Sequence, residues 1–213
     1  MNGCCPCGGN AGHSHDSSMD DDEGFNLRGF IDFDSVRCLN ESAPGSCKHI
    51  FKKYSEREQP EPSLSSNDDD PELILYVSFT EAVKIKSISI TGGPDGSSPS
   101  EVKVWVDRDD IDFTNAADVP STQTLSLVDP DEHAAFVVGG SLDYPTRQSK
   151  FQSVTTLTFF ISDNFGADAS KIIYMGFKGV GTNARRGIVD AVYECRPVPT
   201  DHKAKQEGYG GLI

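Results

Sequence analysis

Apolar residues recur at every second position through much of this chain. Leu73, Leu75, Val77 and Phe79 alternate with their neighbours, the period of a strand with one face on a core. Val83 and Ile85 continue that phase, whereas Ile88 and Ile90 fall in the opposite one. A β-bulge near Ser87 is the expected device, because one extra residue re-aims the inward set. Gly92-Gly93-Pro94-Asp95-Gly96 then reads as a turn. Val102, Val104 and Val106 alternate with Glu101, Lys103 and Trp105, and Leu125, Leu127 and the run Ala135 to Val138 follow. Val154 leads into Leu157, Phe159 and Ile161, interleaved with Thr156, Thr158 and Phe160. Ile173, Met175 and Phe177 form another run, and Ile188 to Tyr193 the last. One segment, 109–118, reads as a short helix. Upstream, the mixed apolar run from Phe25 to Val36 predicts a short strand or helical turn around Asp32 to Val36. Residues 55–70, rich in Glu, Pro, Ser and Asp, predict an exposed loop. Seven or more short strands separated by turn residues predict an all-β, antiparallel sandwich or barrel.

Length places this fold in one domain. The chain has 213 residues, which suits a single sandwich with tails. Residues 1–24 contain no aromatic residue and include the acidic run Asp20 to Glu23. Such a segment cannot bury enough apolar surface to offset its ordering entropy, so a disordered tail is expected there. The sandwich is expected over 25–196 and a loose tail over 197–213. The formal net charge of −14 opposes phosphate, and nucleic acid is not an expected partner. No run approaches the 18 or more apolar residues of a membrane span, and Met1-Asn2-Gly3-Cys4-Cys5 has neither a basic nor an apolar region of a secretory signal. Asn2 excludes N-myristoylation. Of the six cysteines, three crowd the N-terminus and three (Cys38, Cys47, Cys195) lie far apart. That odd number predicts free thiols in a reducing compartment.

The densest cluster of potential ligands is Cys4, Cys5, Cys7, His13 and His15. Thiolates and imidazoles suit zinc or copper, and these residues are the candidate metal set, with unliganded tail thiols as the plainer reading. Cys4-Cys5-Pro6-Cys7 contains a C-x-P-C spacing but lacks the flanking strand and helix that activate such a thiol. No nucleophile elbow or zinc-protease motif occurs. His49, His133 and His202 are scattered, so no catalytic residue is assigned. Three features suggest protein contacts. Trp105 points away from the face of Val102 and Val104, which puts it either under a loop or on a partner surface. Phe165 sits in the polar loop Asn164-Phe165-Gly166-Ala167-Asp168. Arg185-Arg186 is a basic pair in an acidic chain, suited to charge-assisted contact with an acidic partner.

Several stretches resemble one family. Cys38-Leu39-Asn40-Glu41, Pro99-Ser100-Glu101-Val102, Phe151-Gln152-Ser153-Val154 and the stretch from Ile161-Ser162-Asp163-Asn164 through Asp168 are similar to the PITH domain family, as is Asp201-His202. That family is named for the proteasome-interacting domain of a thioredoxin-like protein, and the chain resembles its stand-alone branch. The resemblance covers about residues 25–205. It implies a jelly-roll sandwich similar to galactose-binding-like and anaphase-promoting-complex Doc domains, association with the proteasome, and residence in cytoplasm and nucleus. It carries over no catalytic residue. No thioredoxin domain precedes the sandwich here, so the relative's redox activity is not expected. The reading is therefore a monomeric, non-enzymatic module that binds a protein partner through loops at one end of the sandwich, at Phe165, Arg185 and Arg186. A carbohydrate-like ligand is the alternative, with Trp105 the single tryptophan available for stacking; a metal-binding or redox-sensing tail on a passive domain is another.

Overall fold

The computed structural model describes residues 25–130 and 142–185. Eight antiparallel strands carry the fold: β1 (Arg37–Leu39), β2 (Leu64–Ser65), β3 (Leu73–Gly92), β4 (Pro99–Val106), β5 (Gln123–Ser126), β6 (Leu142–Pro145), β7 (Val154–Asn164) and β8 (Lys171–Arg185). Short 3-10 turns at Leu27–Phe30, Ser46–Ile50 and Tyr54–Glu56 precede the long strands. The expected runs Ala135 to Val138 and Ile188 to Tyr193, and both tails, lie outside the described residues.

The 20-residue β3 belongs to both layers. Its first half pairs with β1 on one side and β7 on the other, from Leu73↔Ile161 to Ser78↔Thr156. Its second half pairs with β8 and β6, through Ile88↔Phe177 and Ile88↔Tyr144. Beyond β7 the first layer continues through β4 to β5, and beyond β8 the second continues to β2. A strand that changes sheets at a bend is one way for two layers to share an edge. The registers shift between Ser78 and Val83, where β3 passes from β7 to β8. The bulge expected near Ser87 is present. Ile85 faces Gly179 and Ser87 faces Lys178, so Lys86 is the extra residue on β3.

The two inner faces meet in one apolar core. Leu73, Leu75 and Val77 on β3 and Leu157 and Phe159 on β7 pack with Ile88 and Ile90 from the other half of β3. Phe159 on β7 stacks on Phe177 of β8 at 6.0 Å between ring centroids, and Phe79 meets the same ring edge-on at 5.5 Å. Such aromatic pairs add about 0.5–1.5 kcal/mol each beyond their burial.

The first layer is covered on its outer face as well. Ile74, Tyr76, Trp105 and Phe160 form a second cluster with Ile111 and Ala116 from the loop after β4. Four sheet side chains hold that loop by its carbonyls. The Tyr76 hydroxyl donates to Ile111 O, the Thr158 hydroxyl to Arg108 O, Lys103 Nζ to Ala116 O (3.4 Å) and Ala117 O (3.3 Å), and Trp105 Nε1 to Pro120 O (3.0 Å). The helix expected over 109–118 is consequently replaced by turns. It starts as a helix would, with Asp112 Oδ1 accepting from the amides of Thr114 (2.9 Å) and Asn115 (3.1 Å). Isolated bonds Ala116 N–H to Asp112 O (2.9 Å) and Val119 N–H to Asn115 O (3.0 Å) follow. Of the segment's own carbonyls, those of Ile111, Ala116 and Ala117 accept from sheet side chains, which ties its two ends to β3 and β4.

Two smaller expectations also change. The helical turn near Asp32 to Val36 lies earlier, at Leu27–Phe30. The exposed loop of residues 55–70 contains β2, whose Leu64 is fully buried.

Candidate functional site

Phe165 and Arg185 do not share a loop cluster. Phe165 precedes the 15-residue β8 and Arg185 ends it. At about 3.3 Å per residue the strand holds them up to roughly 45 Å apart. A single end of the sandwich therefore cannot present both, which corrects the expected grouping. Arg185 lies at the register position opposite Glu81 of β3, and Arg186 lies outside the described residues.

The Phe165 end is stiffly built. Asn164 Oδ1 accepts from the amides of Gly166 (2.9 Å) and Ala167 (3.0 Å), and its Nδ2 donates to Ala167 O (2.9 Å). This is an Asx-type turn, in which the side chain substitutes for a backbone partner. Gly166 takes a left-handed φ of 114°, which a side chain rarely adopts. Phe165 N–H donates to Ser98 O (3.2 Å), tying the loop to the turn after β3, and its ring remains 36% exposed. Trp105 is the opposite case. It is 1% exposed, with its indole N–H bonded to Pro120 O. The loop covers it, so it is available neither to a partner surface nor for stacking on a sugar.

A contact surface that the strand periodicity does not reveal surrounds Tyr54. Arg57 lies over its ring at 4.1 Å and Lys178 of β8 at 5.1 Å. Both cations also have carboxylate neighbours, Glu58 at 3.2 Å and Asp143 at 2.8 Å. An open cleft of about 290 Å³ beside the ring is lined by Asn26, Arg28, Gly29, Lys53 and Tyr54. Arg28 is oriented by its Nε–H bond to Phe51 O (2.7 Å) and by the Phe33 ring at 5.5 Å. Among the described residues neither Arg28 nor Lys53 meets a carboxylate. Nearby, Lys86 lies over the 47%-exposed Phe25 at 4.5 Å. The sequence signal was slight: Lys53 and Arg57 lie close together around Tyr54, but Arg28 is 25 residues upstream. Lys178 joins them only through the Asn26↔Lys178 bridge.

Cys38 and Cys47 are free thiols close enough to influence one another. Burial pushes both above the usual thiol range, Cys47 to about 12 with further help from the Glu41 carboxylate. Glu41 itself accepts from Gly45 N–H (2.6 Å), the Ser46 hydroxyl (3.2 Å) and Cys47 N–H (3.0 Å). These thiols are held protonated and are weak nucleophiles. Among the described residues no group of three His, Cys, Asp or Glu is arranged to hold a metal ion. Cys4, Cys5, Cys7, His13 and His15 lie outside those residues. No helix among the described residues is long and apolar enough to cross a membrane.

Comparison with known proteins places this geometry. The model of the PITH domain matches residues 17–197. The PITH domain-containing protein 1 of Dictyostelium discoideum is 37% identical over 191 residues, covering 90% of this chain and 91% of the relative. The human protein of the same name is 38% identical over 177 residues, covering 83% of this chain and 80% of the relative. Neither name carries an enzyme activity. Among solved structures, the CBM32-1 and CBM32-2 domains of Clostridium perfringens ZmpB match with a TM-score of 0.54 at 12% identity, over 79% of this chain and 40% of that one. That likeness is one of fold, and it identifies the galactose-binding-like jelly roll.

Proposed function

The chain belongs to the PITH domain family, and we propose that it is a non-enzymatic protein-interaction module that docks on the 26S proteasome or a related regulatory assembly, in cytoplasm and nucleus. The observation that carries this reading is the cationic, aromatic surface around Tyr54 on a chain of net charge −14. Arg and Tyr are the residue types that dominate protein interfaces when ordered. Here Arg28 and Tyr54 are both held by contacts within the fold. Arg28 and Lys53 retain donors for carboxylates on a partner, and charge-assisted bonds of that kind are roughly twice as strong as neutral ones. The proteasome enters through the family's name, and Phe165 is the second contact to test, at the other loop cluster.

The test is co-elution of the full chain with purified 26S proteasome at physiological salt, repeated for Arg28→Glu/Lys53→Glu and for Phe165→Ala. Binding by the parent chain with at least a tenfold loss in the double variant supports the proposal. Failure of the parent chain to bind removes the proteasome. Unchanged binding by the double variant, with the parent chain bound, removes the Tyr54 surface and leaves Phe165 as the place to look.

A further inference from the structure

A second recess opens on the outer face of the first layer, distinct from the Tyr54 surface. Its floor is two cross-strand pairs, Tyr76↔Thr158 and Ser78↔Thr156, between β3 and β7. Ser35 and Arg37, at the start of β1, form one wall, and Asp107 and Asp109, just after β4, form the other. The recess has a volume of about 430 Å³, within the range of roughly 300–1,000 Å³ typical of small-molecule sites.

One residue of each wall is held in place before any ligand arrives. The Arg37 guanidinium lies on the Tyr76 ring at 4.1 Å. Tyr76 is in turn anchored by its hydroxyl bond to Ile111 O. Opposite, Asp107 takes a left-handed φ of 53°. Its Oδ1 accepts from Thr155 N–H (2.8 Å), the Thr155 hydroxyl (2.7 Å) and Thr156 N–H (3.0 Å). Arg108 is engaged by Asp110 at 2.5 Å, which leaves Asp109 as the neighbouring carboxylate without a cation among the described residues. Arg37 and Asp107, held this way, lose little freedom on binding, which is what preorganisation supplies.

Four polar groups in this recess have hydrogen-bonding capacity that nothing among the described residues uses. They are the Arg37 guanidinium, the Asp109 carboxylate and the hydroxyls of Ser78 and Thr156. Other hydroxyls there are committed, Thr158 to Arg108 O and Ser35 to Asp32 (2.6 Å). The unused set comprises donors, acceptors and groups that do both. Two carboxylates face one guanidinium on a chain of net charge −14, so an anion is opposed by the local and the global field. A cation would gain from Asp109 but would meet Arg37. Neutral hydroxyl groups match both walls, since each can accept from Arg37 and donate to Asp109. Because Arg37 covers the Tyr76 ring, recognition here rests on hydrogen bonds and not on stacking.

We propose that this recess, between Arg37 and Asp109 over the Ser78–Thr156 pair, binds a neutral polyhydroxylated ligand of sugar or cyclitol size. Weak binding is expected of a small open site, and a millimolar dissociation constant corresponds to only about −4 kcal/mol. The experiment titrates the full chain, isotopically labelled, with myo-inositol and with the methyl glycosides of galactose, glucose and mannose, reading amide shifts by NMR. The charged probes are myo-inositol hexakisphosphate and methyl galacturonoside. Saturable shifts centred on Arg37, Ser78, Asp109 and Thr156, weakened at least tenfold in both Asp109→Asn and Ser78→Ala, support the site. Preference for myo-inositol would indicate a free cyclitol, and preference for a methyl glycoside a terminal residue of a glycan. Asp109→Asn should leave the melting temperature unchanged, because Asp109 makes no bond within the described fold. Three results overturn the proposal: no saturable shift with any neutral probe, tighter binding of a charged probe than of its neutral counterpart, or shifts that persist unchanged in both variants.

Discussion

Replacing Trp105 by alanine separates two roles that a strand pattern alone leaves open. In the structure the indole is 1% exposed and is the largest side chain of the cluster under the 107–122 loop. Truncating a buried Trp costs about 3–5 kcal/mol, from lost transfer free energy and the cavity that remains. The change also deprives Pro120 O of its donor at 3.0 Å. Against a total stability of about 5–15 kcal/mol this is a large fraction. For a domain of this size it corresponds to a melting temperature lower by roughly 6–20 °C. The assay is urea unfolding followed by far-UV circular dichroism, since the variant lacks the single tryptophan. Tyr76→Phe is the graded control. It removes only the hydroxyl bond to Ile111 O and should cost about 1–3 kcal/mol, the penalty of an unpaired buried acceptor. In the parent protein, tryptophan emission should be blue-shifted and poorly quenched by acrylamide. A loss below about 0.5 kcal/mol for Trp105→Ala, the usual range of surface changes, would refute the covered cluster and return Trp105 to a partner surface.

Four further outcomes follow from other contacts in the fold. Native chain treated with iodoacetamide near neutral pH should leave Cys38 and Cys47 unmodified by peptide mapping, and both should label after denaturation. Because the folded thiols titrate above the unfolded value of about 8.5, the stability that they contribute is complete below that pH and declines as pH rises beyond it; a Cys47→Ala variant should show a shallower alkaline loss. Gly179→Ala should prevent native pairing of β8 with β3, since its added carbon would lie 1.9 Å from Lys84 O, a backbone atom, whereas Gly29→Ala meets nothing within 4 Å and should stay within about 0.5 kcal/mol of the parent; expression yield and thermal melts distinguish them. The Lys171 ammonium, 2.9 Å from Glu61, holds that carboxyl below its usual range. Its contribution is present above the unfolded carboxylate value of about 4.3 and is lost as pH falls through the folded one, so Lys171→Met should flatten the acid limb of a melting-temperature profile.

The layers were legible because their signal is local. Alternation in β3, β4 and β7, and even the phase slip at Lys86, can be counted along the chain, since a strand's side-chain period is two wherever the strand lies. The 109–118 segment misled for a physical reason. Asp112 and Asn115 supply the capping that a helix start requires, but Tyr76 and Lys103 on the sheet take the carbonyls of Ile111, Ala116 and Ala117 at the segment's two ends. Local propensity was overridden by tertiary bonds. The grouping of Phe165 with Arg185 failed because the length of β8 was underestimated. Reading Ile173 to Phe177 as a short run hid the further pairing of Val180, Gly181 and Arg185 with the bend of β3.

That outer cover also explains why the candidate sites sit where they do. A jelly roll whose sheets faced water on their outer sides would offer broad, shallow polar surfaces. Here the loop after β4 covers the first layer at Ile74, Tyr76, Trp105 and Phe160, and the sheet surface beside it, at Ser78 and Thr156, stays open next to Asp107 and Asp109. The same bonds that make Trp105 structural therefore create the recess: Tyr76 anchors the loop at Ile111 and carries Arg37 on its ring. Loosening the loop should damage both together. Tyr76→Phe keeps the aromatic platform but frees the loop, so it should weaken ligand shifts at Asp109 more than at Arg37. Equal weakening at both walls would mean that the loop is not what positions Asp109, and the coupling between cover and recess would have to be abandoned.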